Sequence, residues 1–259
     1  MANIALIITT FLRDSLLYKC LQSIVDNPIP NIKILVADQG YNDDEKNITI
    51  DYYKSQLDLE YYKLPFDCGA YYARNFLFKK TKEFGISYCL VMADSIHFCQ
   101  QYNFSTFIKF LEQNEKTALI GFELDGSKCP WEFLMTKTEQ HIKFDWATEK
   151  INFENISLTK VDICRNIYLA KTNVMIDCPQ DEELKLGGHE LNFWNLKQRG
   201  YDCYWTDTIS FKRFSPRASN EYDSYRKRLS YYLKIAKQKL DIKGWVKYPE
   251  GWNPKKYKK

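Results

Sequence analysis

The sequence predicts an α/β fold, a mostly parallel central sheet flanked by helices. Three observations carry this: apolar runs of strand length, helical apolar spacing between them, and polar residues where the runs end. Residues 4–10 (Ile-Ala-Leu-Ile-Ile-Thr-Thr) form the first run. It is apolar until its polar end, as a strand buried on both faces requires. Leu16, Leu17, Cys20, Leu21 and Ile24 then recur at helical spacing until Asn27-Pro28 stops the pattern. Residues 32–38 read as a second strand with Asp38 at its C-terminal end, followed by the polar loop Gln39-Gly40-Tyr41-Asn42-Asp43-Asp44. Strand, helix, strand in this order makes a βαβ unit with a right-handed crossover.

A helix over 44–57 and a short strand over 60–64 come next. The helix carrying Ala73, Phe76, Leu77 and Lys80 precedes a third buried strand, 87–92, which ends in Ala93-Asp94-Ser95. Ligands of open α/β sheets bind beyond the carboxyl ends of the strands. Thr10, Asp38 and Asp94 should therefore converge on one edge. Neither GxGxxG nor GxxxxGK[ST] occurs, so neither a dinucleotide fingerprint nor a P-loop is supported. Residues 118–144 alternate strand-like runs with turns, and 162–170 read as another strand. A loop over 173–188 leads to a helix over 190–199, closed by Gly200 at the position a helix C-cap favours. The chain finishes in a basic helix over 225–240 and a tail rich in Trp, Pro and Lys.

A chain of 259 residues with 45% hydrophobic and 27% charged residues can bury one large core. The net charge of +4 conceals an asymmetry: residues 212–259 carry 15 Lys or Arg against 4 Asp or Glu. That tail, with Tyr225, Tyr231, Tyr232, Trp245 and Trp252, suits a peripheral membrane contact or a solvated helix face; no nucleic-acid module accompanies it. Aromatics reach 16%, fitting either sugar-stacking platforms or a Tyr-rich core. The 8 cysteines are scattered without a CxxC pair or zinc spacing, as expected of buried thiols in a reducing compartment. The start lacks a basic n-region, and no run approaches membrane-span length, so a cytoplasmic protein is expected, with membrane association through the tail.

Four segments in order resemble one family. Ile8-Thr9-Thr10-Phe11-Leu12-Arg13, Asp67-Cys68-Gly69 with Ala73-Arg74-Asn75, Leu90-Val91-Met92-Ala93-Asp94-Ser95, and Asp181-Glu182-Glu183-Leu184-Lys185 running into His189-Glu190 are similar to landmarks of GT-A glycosyltransferases. The likeness is to inverting, family 2 style enzymes and most of all to the β1,4-N-acetylgalactosaminyltransferase group. It implies a GT-A domain over 1–220, with a nucleotide-binding half (1–100) and an acceptor-binding half (101–220), and a basic C-terminal extension over 221–259. It also implies a UDP-sugar donor, a glycan or glycoconjugate acceptor and a place in polysaccharide biosynthesis. A catalytically inactive GT-A domain that binds nucleotide-sugar or glycan is the alternative.

The resemblance assigns roles residue by residue. Asp38 would accept the N3–H of a uracil ring, or else cap the following turn. Thr10 and Arg13 would border the nucleotide, Arg13 as a phosphate fork or an exposed helix-start residue. Asp67 and Arg74 would line the donor pocket, Arg74 facing phosphate, the Asp94 region or a structural ion pair. Gly69 would permit close backbone approach. Asp94 is the one carboxylate where the family carries two or three, so it would hold Mn2+ or Mg2+ with phosphate and water. Lys212 and Arg213 stand where the family has a metal-binding histidine and would otherwise neutralise the diphosphate. His97 fits a loop histidine better than a ligand. Glu190 would be the general base, with His189 second, Gly187 and Gly188 leaving room for substrate, and Asp181 shaping the acceptor loop.

Overall fold

The computed structural model describes residues 4–124, 133–214, 219–244 and 246–249. Cys129, Trp245, Trp252 and the tail from 250 onward lie outside the described residues. The first half follows the sequence closely: β1 (Ile4–Thr10), α1 (Asp14–Asp26), β2 (Ile32–Asp38), α2 (Asp44–Gln56), β3 (Leu59–Lys63), α3 (Ala70–Glu83) and β4 (Tyr88–Ala93). The four strands lie in the order β3-β2-β1-β4, all parallel. Register fixes the edge that matters. Thr10 lies opposite Asp38, and Thr9 opposite Ala93, so Asp94 leaves the sheet beside the end of β1.

Beyond β4 the chain forms β5 (Ile96–His97), α4 (Ser105–Gln113), β6 (Thr117–Leu124), β7 (Phe133–Lys137), β8 (Ile142–Trp146), β9 (Lys150–Phe153) and β10 (Ile156–Val161). Then come β11 (Tyr168–Lys171), α5 (Thr172–Asp177), α6 (His189–Gln198), β12 (Asp202–Arg213), α7 (Asn220–Arg226), α8 (Leu229–Leu240) and β13 (Val246–Lys247). The large sheet continues as β4-β11-β6-β12-β10-β9, with β5 also on β12, and β13-β8-β7 make a small separate sheet. The sheet is mixed but mostly parallel in direction, as expected: seven of its ten described strands run one way, and β5, β10 and β11 run against them. β11 runs antiparallel between β4 and β6, and β10 runs antiparallel to both neighbours. The apolar runs of these strands look the same in either direction, because burial on two faces sets composition, not polarity of pairing.

Two cores cover the two faces of the sheet, and the alternation of β1 divides it between them. Ala5 and Ile7 pack with Ala73 and Leu77 of α3, while Leu6 and Ile8 pack with Leu17, Cys20 and Leu21 of α1. The aromatic residues Phe98, Tyr102, Phe104, Phe107, Phe110, Phe122 and Phe211 extend the second core under α4. Much of the aromatic content is therefore core. Three local expectations change. The stretch 162–170 is strand only from Tyr168, because Ile163 turns in to meet Phe133. Residues 172–177 form a one-and-a-half-turn helix where a loop was expected. The single helix over 225–240 is two, broken at Lys227 and Arg228, where the Arg228 side chain turns to an acid described below.

Gly121 of β6 marks the tightest point of the sheet: a Cβ there would stand 2.5 Å from Cys164 Sγ and 2.6 Å from its Cβ. Gly121→Ala is expected to lower stability by about 1–3 kcal/mol through overpacking. The check is a reduced urea midpoint with an unchanged m-value; an unchanged midpoint would contradict this packing.

Candidate active site

The site starts where β1 and β4 end side by side. Thr10 Oγ1 donates to Asp94 Oδ2 at 2.8 Å, and Arg13 Nε donates to the same oxygen at 3.1 Å. Arg13 Nη2 takes Asp94 Oδ1, which completes a two-pronged pair. Asp94 is fully buried. Burial pushes its carboxyl pKa up, and Arg13, Thr10 and Arg213 pull against that. The expected juxtaposition of Thr10, Arg13 and Asp94 is present, with the guanidinium bound to the carboxylate.

Asp38 is placed differently from the expectation. Its Oδ1 accepts from the Gly40 N–H at 2.7 Å, and its Oδ2 accepts from Lys46 Nζ at 2.9 Å and from the Tyr61 hydroxyl. Lys46 is itself buried and also ion-paired to Asp14 at 2.9 Å. Asp38 is fully buried and is not on the wall of the cavity, which its neighbour Gln39 reaches instead. In this arrangement the carboxylate holds the β2 turn, α2 and β3 together, and its oxygens are spent there.

Asp67 and the C-terminal helices form the opposite wall. Asp67 sits at φ 52° and accepts from Arg228 Nη2 at 2.8 Å and from Lys185 Nζ at 3.0 Å. Although burial acts upward, those two cations hold its pKa below the ordinary value. Gly69, at φ 100°, allows close approach as expected, and what approaches is Lys185, 3.0 Å from where a Cβ would stand. Gly187 and Gly188 do not open space for a substrate. A Cβ on Gly187 would meet Leu233 of α8, and one on Gly188 would meet Leu184 and Tyr71. The glycines let α8 and Tyr71 close on the loop before α6, and the Tyr71 hydroxyl accepts from the Gly188 N–H at 2.9 Å.

The basic C-terminal segment therefore turns inward. Lys239 pairs with Asp181 and Glu183, each at 2.7 Å, and Tyr41 donates to Glu221 at 2.9 Å. Arg13 stacks over Tyr222 and Arg228 over Tyr225, both at 4.7 Å. Phe11 packs edge-on to Phe66 at 5.4 Å and to Tyr225 at 5.0 Å. This aromatic cluster, partly open at Tyr41 and Phe66, was legible only as composition. Its members come from four distant stretches of the chain.

Glu190 and His189 open α6. Ordinarily the imidazole is the stronger base. Here burial, with the charge of Arg74 behind it, pushes His189 down to about 4, while burial pushes Glu190 above its usual 4.5. The two shifts run in opposite directions and narrow the ordinary gap in basicity between imidazole and carboxylate. His189 bonds to the Cys164 backbone and packs on Phe193 at 4.9 Å, fixing its ring. Arg74 Nη1 donates to Asn166 Oδ1 at 3.2 Å, and no acid lies within 4.0 Å of it among the described residues. That excludes both the Asp94 contact and the ion pair considered for Arg74.

Arg213 and Lys212 part company at the end of β12. Arg213 reaches the cavity wall and acts electrostatically on Asp94, whereas Lys212 is exposed and not on that wall, as strand alternation requires. His97 pairs in β5 and stacks on Phe214 at 3.9 Å. Among the described residues no three His, Cys, Asp or Glu side chains gather as a metal cradle.

These walls enclose a cavity of about 670 Å³ that reaches from Thr10, Arg13 and Ser95 to His189 and Glu190, with α7 and α8 on one side. Seven basic side chains, Arg13, Arg74, Arg165, Lys185, Arg213, Arg226 and Arg228, stand on its wall against Asp67, Glu190 and the buried Asp94. Among the described residues an excess of four positive charges lines the cavity, which favours a polyanion. Residues 5–167, more than half of the chain, match the model of glycosyl transferase family 2. The chain belongs to that family. A comparison with curated proteins finds no match.

Similar solved structures give this family 2 chain the GT-A fold. S. aureus TarS 1–349 shares 13% identity at a TM-score of 0.58, over 93% of this chain and 69% of its own; its UDP-GlcNAc complex is covered to 60% at 0.59. The mannosyltransferase PcManGT from Pyrobaculum calidifontis, in complex with GDP-Man and Mn2+, shares 11% at 0.60, over 92% and 63%. GalNAc-T7 with UDP, GalNAc and Mn2+ shares 10% at 0.60, over 93% and 55%. The chain thus has the GT-A fold and spans part of the length of these proteins; it is the family match that supports a glycosyltransferase. The narrower likeness to β1,4-N-acetylgalactosaminyltransferases rests on the motifs alone. No described helix is long and apolar enough to cross a membrane.

The placement of Asp38 has a direct test. Lys46→Met strands a buried carboxylate and is expected to cost about 3–5 kcal/mol of unfolding free energy, measured by chemical denaturation. A loss of nucleotide binding with stability intact would instead put Asp38 in the ligand site.

Proposed function

We propose that this chain transfers a hexosyl or N-acetylhexosaminyl group from a UDP-sugar to a hydroxyl of a glycan or glycoconjugate, with inversion and with Glu190 as general base. The observation that carries this is Glu190 itself. It lies on the wall of the same strongly cationic cavity as the β1 and β4 ends, its pKa is raised by burial, and no cation lies within 4.0 Å of it among the described residues. A carboxylate so placed is available to take a proton.

In the transfer, the acceptor oxygen attacks the donor's C1 as the C1–O bond to the distal phosphate breaks. The bond's electron pair leaves with the nucleoside diphosphate, and the acceptor proton passes to Glu190. Attack opposite the leaving group inverts the anomeric centre. His189 remains neutral beside the base and orients the start of α6, and Tyr71 ties that start to α3 through Gly188. Uridine as the donor nucleoside is supported by the UDP and UDP-GlcNAc named for the TarS and GalNAc-T7 structures, with the GDP-Man of PcManGT as the competing case. Polysaccharide assembly in the cytoplasm, with peripheral membrane contact through surface lysines of the C-terminal segment, is the setting we propose. The alternative, a binding module without turnover, draws on the single, already paired carboxylate at the β4 end.

Glu190→Gln is expected to lower kcat by about 10²–10⁴-fold while nucleotide affinity holds. Because the base acts deprotonated and its pKa is raised, kcat/KM in the parent should fall with acid from a pH above 4.5, the ordinary carboxyl value. Undiminished turnover in the variant would remove Glu190 as the base. Donor binding with no transfer or donor hydrolysis in the parent chain, across a panel of acceptors, would favour the binding module.

A further inference from the structure

The end of β4 is a poor place for a hard dication. Ala93 offers no ligand, Ser95 offers a hydroxyl, and both oxygens of Asp94 are taken by Arg13 and Thr10. A divalent ion needs carboxylate oxygens free of competing cations, and here a guanidinium already occupies the position opposite the carboxylate. The residues present do not fit a metal.

They fit an anion. Arg74 is 6% exposed and stands on the cavity wall, yet its Nε has no acceptor and its Nη1 meets only the neutral amide of Asn166. A buried guanidinium without a counter-charge is costly, and a bound anion relieves that cost. On the same wall Ser95 Oγ is buried and has no partner. Two unsatisfied donors thus belong to residues that line one cavity. Arg226, in the last turn of α7, adds a second cationic group there, with no acid within 4.0 Å among the described residues. Tyr71 lies within the electrostatic reach of Arg74, Glu190 and Arg226 together, which places these cations near the base.

We infer that the diphosphate of the donor is held and its leaving charge neutralised by Arg74 and Arg226, aided by Arg213 and the Ser95 hydroxyl, in place of a divalent cation. The inference rests on the nucleotide-sugar reading above. It also makes the C-terminal helix α7 part of the donor site, supplying a phosphate contact from outside the matched family segment.

Titration calorimetry of the full chain tests this, with UDP, GDP and UMP as probes, each in excess EDTA and in excess MnCl2. The expected result is a diphosphate affinity that agrees between the two conditions within about twofold, and UMP weaker by about tenfold or more. Arg74→Met and Arg226→Gln should each weaken the diphosphate by about tenfold or more. Arg226 is exposed, so its variant should melt like the parent and keep the test independent of folding. Diphosphate binding only with Mn2+, or parent-like affinity in a folded Arg226→Gln variant, would overturn the inference and leave the donor reading standing. Binding of none of the probes in either condition would remove the donor reading and the inference with it.

Discussion

The pair between Arg13 and Asp94 is the constraint on which the site is built. It joins the loop after β1 to the end of β4 through two prongs, with Thr10 as a third contact on the same carboxylate. Parallel pairing of β1 with β4 brings the two ends to the same level, so the pair is a consequence of register. Once formed, it sets the position of Phe11 and the Arg13 guanidinium. Tyr222 of α7 then stacks on that guanidinium, and Tyr225 meets Phe11 edge-on. A buried ion pair of this kind is costly to break from one side, which makes it a stable floor for the cavity and an unwilling metal ligand.

The C-terminal helices are the second half of the design. A segment that reads as a basic appendage is drawn onto the domain by acids of the core: Asp67 takes Arg228, and Asp181 with Glu183 takes Lys239. Gly187 permits the close approach of Leu233 that seats α8. Closing the cavity with these helices places Arg226 over it and raises its positive charge. Burial at the far end shapes basicity as well, moving Glu190 and His189 in opposite directions.

Sequence and structure agree most where hydrophobic periodicity is the dominant signal. The bounds of β1 and β2 and the buried face of α1 were legible because each element satisfies its own burial with local apolar spacing. The mostly parallel direction of the sheet was legible, but which strands run against it was not, since strands buried on both faces carry no mark of pairing direction. At the site, the residues were legible and their partners were not. Thr10, Arg13, Arg74 and Glu190 all reach one cavity, with Asp94 buried behind Arg13, whereas Asp38 is consumed by Lys46 and Tyr61, 8 and 23 residues further along. Lys46 gives no sign in the sequence that it is buried, because a lysine on a helix is ordinarily solvated. Tyr71 and Arg226 were missed for a similar reason: their roles depend on contacts between α3, the loop before α6 and α7, which only tertiary structure creates. Arg213 and Lys212 are separable in retrospect by strand alternation, had β12 been recognised as a strand to its end.

The central claim is that a nucleoside diphosphate sits in this cavity on arginine side chains, with Asp94 still bound to Arg13. A crystal structure of the chain with UDP, grown with MnCl2 present, tests it most directly. The account predicts phosphate oxygens against Arg74 and Arg226 with the Arg13 and Asp94 pair intact. A manganese ion on Asp94 bridging the phosphates, with Arg13 displaced, would contradict it.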